Sequence, residues 1–524
     1  MLLPTPGGPL ELELDAFPLP PTFPLVLPVC RTLRLREIVD ELCPMHHCAQ
    51  VTHGQVVEFL VLHLLQCPQR LPLYQLEAWA AEHHVHRLYD CAPAAFNDDR
   101  VGDTLEALAP VIAAVETRVV TEALSQYHLA ADQIHWDLTP VTFRGAHEGS
   151  ALIGRGYGAG RVQERQLQVS LHVTGEGGIP VRHQALPGSA HQAPLAPDLL
   201  RDLQQRLPRS DLLIVSDRAG LSYDHIAAYR RAGARFVAPL QLSPAQRAAL
   251  GAVPASAFTP LDYASRRAPQ DHYRYYATTL ELQAKHCRTP QTVAALFVHH
   301  TGKARHDAAQ RAKQRERVLG RLAQIQGHLN HRRYARADYA RAQLERAVPA
   351  ALQPIVRYEL SGPDGQLQLR WWVDEDQQAQ AAATDGRYVL VYDVPDATPE
   401  EVFLLYKRQA LIEARFRNFH SELSVHPIWL QRDTRIQALL LVVVLALIVY
   451  TLLELCAERR GLEGPHYPKM TARALLFAFG PVLISQVRIR GQPPYWQLVL
   501  SAEQRRLLER LGFPEPTDYL RDRP

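Results

Sequence analysis

The stretch QIHWDLTPVTF, residues 133–143, alternates at every second position and is rich in β-prone residues, which predicts a strand. It also carries a carboxylate, Asp137, where a strand ordinarily buries an apolar face or solvates a polar one. The neighbouring segments keep the same period. RQLQVSLHVTGEG (165–177) and IPVRHQALP (179–187) read as two further strands joined by the turn GEGG. PDLLRDLQQRLP then reads as a helix, and DLLIVSD (211–217) as a short buried strand ending in a second carboxylate, Asp217. SYDHIAAYRRAG and ARFVAPLQL add another helix and strand. The predicted order is three strands in hairpin contact, then helix, strand, helix, strand.

On the N-terminal side the period is different. From Leu33 to about Tyr127, LREIVDELC, GQVVEFLVLHLLQ, LYQLEAWAAEHHV and VGDTLEALAPVIAAVETRVVTEALSQY repeat apolar residues at three or four, as in an all-α domain. Residues 1–28 are proline-rich and poor in charge, and read as an extended arm. On the C-terminal side, residues 243–386 stop fitting the sheet. They hold strand-like pieces, a basic helical stretch from Lys303 to Ala347 and a hairpin around GPDGQ (362–366), and read as an insertion. RYVLVYDV (387–394) resumes β character. TPEEVFLLYKRQALIEARFRNFHSEL (398–423) then opens a helix, with Thr398 as N-cap, Pro399 in the first turn and Glu401 three residues after the cap.

The chain has 524 residues, 47% hydrophobic and 21% charged, which suits two or three domains with cores of their own and argues against wholesale disorder. A net charge of +3 means that affinity for a polyanion has to come from local clustering. Seven scattered cysteines and an N-terminus without a basic-then-apolar leader predict a reducing cytoplasm. ALLLVVVLALIVYTLL (438–453) is long enough to approach a membrane span. It is a single run flanked by charges, and it reads as a helix buried on all sides of a large core.

Topology places Asp137 on the first strand and Asp217 at the carboxyl end of the fourth, where open α/β sheets present ligands. Tyr406, Gln409, Glu413, Arg417 and His420 form one polar stripe of the late helix, spaced at three, four and seven. Three carboxylates in one cleft raise one another's pKa unless a cation neutralises them. Hard oxygen donors suit Mg²⁺ or Mn²⁺, and two such ions about 4 Å apart can activate an attacking oxygen and stabilise a leaving one at a phosphodiester.

This layout resembles the DDE transposases of bacterial insertion sequences, in the insertion-sequence-four-like superfamily. IHWDLTPVTF looks like that family's first Asp strand, LLIVSDRAGLS like its second Asp motif, and YKRQALIEARFRNFHSEL like its Tyr-Arg-Glu-Lys signature. VHPIWLQRDTRIQALLLVVVLAL is similar to the continuation into a buried apolar helix, and VTHGQVVEFLVLHLL with FNDDRVGDTLEAL to the N-terminal domain of one subgroup. The likeness covers roughly residues 32–460.

It implies an α/β fold: an RNase-H-like mixed-sheet catalytic core (131–242 and 387–460) with an α+β insertion (243–386) and an all-α N-terminal domain (31–130) that binds DNA. The arm (1–30) and a C-terminal segment (461–524) complete the chain. The resemblance implies Asp137, Asp217 and Glu413 as catalytic metal ligands for Mg²⁺, with Mn²⁺ as a substitute. Tyr406, Arg408, Gln409, Arg417 and His420 then line the DNA path. The implied partner is double-stranded DNA, both terminal inverted repeats and target, bound by a homodimer in the bacterial cytoplasm without a membrane. Gln409 stands where the signature has Arg, and His420 where it has Lys. Two other readings stay open: a nuclease of this fold without strand transfer, and an inactive or repurposed DNA-binding protein.

Between Lys303 and Arg346 twelve Lys or Arg face four Asp or Glu, with Tyr334 and Tyr339 interleaved, so that Arg311, Arg332 and Arg333 become phosphate-contact candidates beside the alternative of a solvated face. CPMHHC (43–48), with His53 and Cys67 near, has zinc-type ligands in a crowded spacing without a clear second pair, and reads as ordinary helical-domain sequence. GRGYGAGR (154–161) lacks the order of a dinucleotide loop and reads as a hairpin tip.

Overall fold

In the computed structural model, the run around Asp137 is an 11-residue strand, β3 (Gln133–Phe143), flanked on both sides within a mixed sheet. The structure describes residues 2–513 except 6–7, 21, 46, 67–71, 144, 146, 157–163, 191–195, 208–210, 218–222, 266–267, 284–289, 424–429, 464–469, 481 and 490–494. By packing the chain divides into two units, one of residues 1–220, 228–234 and 407–524, the other of 221–227 and 235–406.

The first unit begins with strands β1 (Leu2–Thr5) and β2 (Gly8–Leu19). Six helices come next: α1 (Phe23–Thr32), α2 (Leu35–Leu42), α3 (His53–Leu65), α4 (Leu76–Glu82), α5 (Asp98–Leu108) and α6 (Ile112–Gln126). The sheet then forms from β3, β4 (Gly154–Arg155), β5 (Arg165–Thr174), β6 (Pro180–Leu186) and, after helix α7 (Ala196–Arg206), β7 (Leu213–Ser216). β3 pairs antiparallel with β5 along its whole length, β5 pairs antiparallel with β4 and β6, and β7 lies parallel to β3 on its other edge. Three meandering strands with a fourth returning parallel to the first is the RNase-H-like pattern. The GEGG turn between β5 and β6 needs its glycines, because Gly177 and Gly178 both have positive φ, 68° and 63°.

The second unit holds α8 (Tyr223–Arg231) in part, then β8 (Arg235–Pro239), α9 (Pro244–Ala252), β9 (Thr259–Leu261), β10 (Tyr273–Leu282) and β11 (Gln291–His300). After these come α10 (Thr301–His328), α11 (Ala337–Ala347), the hairpin β12 (Val356–Ser361) and β13 (Gln368–Val373), α12 (Glu375–Ala382), β14 (Arg387–Asp393) and α13 (Pro399–Lys407). Within it the antiparallel order is β8, β14, β11, β10, β9. The basic stretch is two helices rather than one. The chain turns at Asn330 and Arg332, both at positive φ, and the Asn330 amide exchanges hydrogen bonds with the backbone of Leu367 at 3.0 and 2.7 Å. α10, α11 and the hairpin share a core around Val318, Leu322, Ile325 and Leu344.

The first unit closes with α14 (Ala410–Arg417), α15 (Asp433–Arg459), α16 (Ala472–Phe479), β15 (Val482–Ile489), β16 (Tyr495–Val499) and α17 (Ala502–Leu511). α15 is, among the described residues, the one helix long and apolar enough to cross a membrane. It runs buried through the unit, packed by α1, α3, α5, α16 and β6, as a core helix would. The proline-rich arm is extended over β2 but not unpaired: it joins β15 in a four-stranded sheet, and residues 23–30 are a buried helix with Pro24 in its first turn.

Packing at the start of α3 is tight. Thr52 and Gln55 form a reciprocal capping box at 3.1 and 2.8 Å, and Gly54 N donates to Asp40 at 2.6 Å. A Cβ at Gly54 would lie 2.3 Å from the carbonyl oxygen of Arg36. Gly54→Ala is therefore expected to destabilise the helical domain by about 1–3 kcal/mol, read as a lower midpoint in urea. An unchanged midpoint would show that α2 can move away freely.

Candidate active site

Strand alternation puts His135, Asp137 and Thr139 on one face of β3. His135 and Thr139 are buried and Asp137 is half-buried. The last registered pair between β3 and β7 is Trp136 with Ser216, so the next residue on each parallel strand is Asp137 and Asp217. Asp217, also half-buried, thus comes directly after β7 at the edge where Asp137 continues β3. Asp137 accepts a hydrogen bond from the Leu138 amide at 2.7 Å.

The late helix opens as predicted. Thr398 and Glu401 make a reciprocal cap at 2.8 and 3.2 Å. It is not continuous, however: α13 ends at Lys407, the chain tightens through Arg408 and Gln409, α14 restarts at Ala410, and a π-helical turn covers Asn418–Glu422. The tightening is three-residue hydrogen bonding, Leu411 N to Arg408 O at 2.8 Å and Ile412 N to Gln409 O at 3.2 Å. At this point Gln409 turns inward and is 9% exposed.

Gln409 Oε1 meets His135 Nδ1 at 3.0 Å, and its Nε2 donates to the carbonyl of Trp136 at 3.3 Å. Burial pushes His135 down to about 4, the bond to Gln409 opposing and the Arg408 charge reinforcing the shift. Its partners set the tautomer: Nδ1 faces the Gln409 oxygen and donates to it, and Nε2 accepts from Gln133 Nε2 at 2.9 Å. Eleven residues on, His420 Nε2 meets Thr139 Oγ1 at 2.7 Å. Glu413, four residues after Gln409 and exposed, lies on α14 between these two attachments.

Residues 129–449, well over half of the chain, match the family described as "Transposase DDE domain". The chain belongs to the DDE transposase family. Residues 21–116 of this transposase match a second family, described as "Domain of unknown function (DUF4277)". No curated protein matches it. Among solved structures it is similar to one chain of the "piggyBac transposase synaptic complex with hairpin DNA", at 9% identity and a TM-score of 0.40, covering 89% of this chain and 81% of that one.

DDE transposases act on DNA with divalent metal ions. In this transposase the donor chemistry fits such an ion, since Asp137, Asp217 and Glu413 offer only hard carboxylate oxygens. Their side chains do not form a closed cage: among the described residues no three His, Cys, Asp or Glu side chains are grouped to hold a metal. This applies equally to CPMHHC, where the Cys43 thiol donates to Ala107 O, His53 Nδ1 pairs with Thr104 Oγ1 at 3.0 Å, and Cys48 is exposed, while His46 and Cys67 lie outside the described residues. Most of GRGYGAGR also lies outside them.

A cavity of about 850 Å³ adjoins α14, lined by Lys407, Arg408, Arg417 and Gln133 together with Glu176 and Glu454. Burial pushes Lys407 down to about 8, against the charge of Glu413. Arg408 reaches Gln133 Oε1 at 3.2 Å, and Arg417 is exposed. In the other unit, Tyr406 has its ring 6.3 Å from that of Tyr388. Of the basic-stretch candidates, Arg311 is taken up by a two-pronged ion pair with Asp385. Arg333 is exposed, and Arg332 lines a hollow with Arg321, His328, His331 and Tyr334. His135, Thr139 and Gln133, which meet Gln409, His420 and Arg408, are residues that motif reading passes over. Their signal is the alternation around Asp137, which makes every second residue from Gln133 to Thr139 polar.

Proposed function

We propose that this transposase hydrolyses a phosphodiester at each end of a bacterial insertion sequence and then joins the freed 3′-hydroxyl to target DNA. Asp137, Asp217 and Glu413 would hold Mg²⁺, or Mn²⁺ in its place, and this cation supplies charge neutralisation at the phosphate and activation of the attacking oxygen. In the first reaction water adds to phosphorus and the 3′-oxygen leaves. In the second the 3′-hydroxyl adds to a target phosphorus and the 3′-oxygen of that same target strand, in line with the attack, leaves, so each reaction makes one P–O bond and breaks one.

The observation that carries this reading is the attachment of the Glu413 helix to β3 on both sides of Asp137, with Asp217 next in register on the parallel neighbour. Arg408 and Arg417 would neutralise backbone phosphates along the cleft, with Tyr406 beside the DNA path. Residues 31–130 would recognise the element ends, and 243–386 would act as an insertion whose Arg332 and Arg333 meet phosphates. Two ends have to be joined, so a homodimer on DNA in the bacterial cytoplasm is the working assembly.

The test is cleavage of a plasmid carrying the coding element with its flanking ends, using purified protein with Mg²⁺, Mn²⁺ or EDTA, beside Asp217→Ala. Metal-dependent breaks at the element ends, lost in the variant, are expected, with joined products if transfer occurs. End binding without breaks under either metal would refute catalysis and leave a DNA-binding protein.

A further inference from the structure

We infer that Gln409 and His420 are positioning residues that act through His135 and Thr139 to hold Glu413 level with Asp137, rather than contacts to DNA. The inference rests on the proposed carboxylate site.

Directionality is the first support. Arg408 Nη1 donates to Gln133 Oε1, Gln133 Nε2 to His135 Nε2, His135 Nδ1 to Gln409 Oε1, and Gln409 Nε2 to Trp136 O. Every donor points the same way, and such chains reinforce each bond along them. The relay starts on the turn before α14 and ends on the carbonyl that precedes Asp137. It therefore ties the backbone of the strand residue, not only a side chain, to the helix. The amide of Gln409 uses both its donor and its acceptor inside the protein, and its burial leaves little of it to face a nucleic acid.

Spacing is the second support. From His135 to Thr139 the strand advances about 13 Å at about 3.3 Å per residue. From Gln409 to His420 the helix advances about 16 Å at about 1.5 Å per residue. Helix and strand thus run in the same direction over similar lengths, joined at both ends. Between the joints, Asp137 lies about 7 Å along the strand from His135, and Glu413 about 6 Å along the helix from Gln409. Arg415 also fixes α14, to the Gly177 carbonyl and to Glu454, while these two joints set the helix against β3 itself. Two joints, on either side of the acids, fix their separation. The Thr139–His420 bond, at 2.7 Å, is the shorter joint and closes the far end, where the helix loosens into its π-turn.

The experiment uses full-length protein and three near-isosteric variants: Gln409→Met and Thr139→Val, which remove the polar atoms, and Thr139→Ser, which keeps the hydroxyl. Mn²⁺ binding is titrated by the loss of the free-ion paramagnetic resonance signal, affinity for element-end DNA is measured in EDTA, and thermal melting reports folding. Gln409→Met and Thr139→Val are expected to weaken Mn²⁺ binding by about 10- to 100-fold, as loss of outer supports to metal ligands does. End-DNA affinity should stay within about twofold, and Thr139→Ser should bind Mn²⁺ like the parent. Unchanged Mn²⁺ affinity in both apolar variants, or a fall in DNA affinity with Mn²⁺ binding intact, would overturn the inference. Asp217→Ala in the same titration separates the two levels. If it leaves Mn²⁺ binding untouched, the carboxylate site itself is wrong and the clamp falls with it; if it abolishes binding while the clamp variants match the parent, only the clamp falls.

Discussion

Asp137→Asn is expected to leave the protein folded and its binding of element ends intact, and to lower strand cleavage by about a thousandfold or more, the scale of the several kcal/mol that cation stabilisation of a reacting phosphate supplies. The substitution is chosen for what it preserves. The carboxylate accepts from the Leu138 amide at 2.7 Å, and the asparagine oxygen can take the same bond. His135 and Thr139 on the same strand face keep their partners on the late helix. Only the negative charge is removed. Single-turnover cleavage of end DNA, run beside a melting curve and a binding isotherm, checks all three statements. Cleavage within about tenfold of the parent would show that Asp137 holds no metal.

Glu116→Ala, far from the acids, is expected to cost about 3–5 kcal/mol of stability, because it strips the acceptor from a buried charge network. Glu116 is 1% exposed on α6, where the helix packs against β6. One of its oxygens accepts from the His183 amide at 2.7 Å and meets the ring Nδ1 at 2.5 Å, while the other accepts from Arg206 at 3.1 Å. Arg206 also meets Asp202 at 3.0 Å, and Asp202 pairs with Arg182. One carboxylate therefore ties the last N-terminal helix to the sheet and to α7. Its removal leaves an amide, a ring and a guanidinium without their shared partner in a dry site. A urea titration of the variant checks the size, and Glu116→Gln, which keeps an acceptor but not the charge, should lie between. A midpoint equal to the parent's would mean that Asp202 carries Arg206 alone.

The parts of the fold that are legible in the sequence are those in which side-chain period and local structure coincide. β3, β5, β6 and β7 track their alternating or continuous apolar runs, and the Thr398–Glu401 cap marks its helix start within three residues of sequence. The position of Asp217, directly after β7, is legible because the short apolar run before it ends there. The features that escape are made by partners distant in the chain. The break after Lys407 arises where Gln409 reaches a histidine 274 positions earlier. Arg311, one charge among twelve in a basic stretch, is held by Asp385, 74 positions away. Composition registers both arginines and glutamines, but not whether they face water or each other. Polar alternation from Gln133 to Thr139 does encode the helix attachment. Its meaning depends on a helix, not solvent, covering that face.

The pairing of β2 with β15 has a consequence in time. Leu19 lies opposite Val482, so one strand leaves the ribosome about 460 residues before its neighbour exists. At about 5–20 residues per second, synthesis separates them by tens of seconds. During that interval Gly8–Leu19 has no β15 to pair with, and its edge is open to whatever else is nearby. Until β15 is made, β2 has only β1 beside it, and a ribosome that stalls anywhere before Val482 releases a chain whose first long strand lacks its second neighbour.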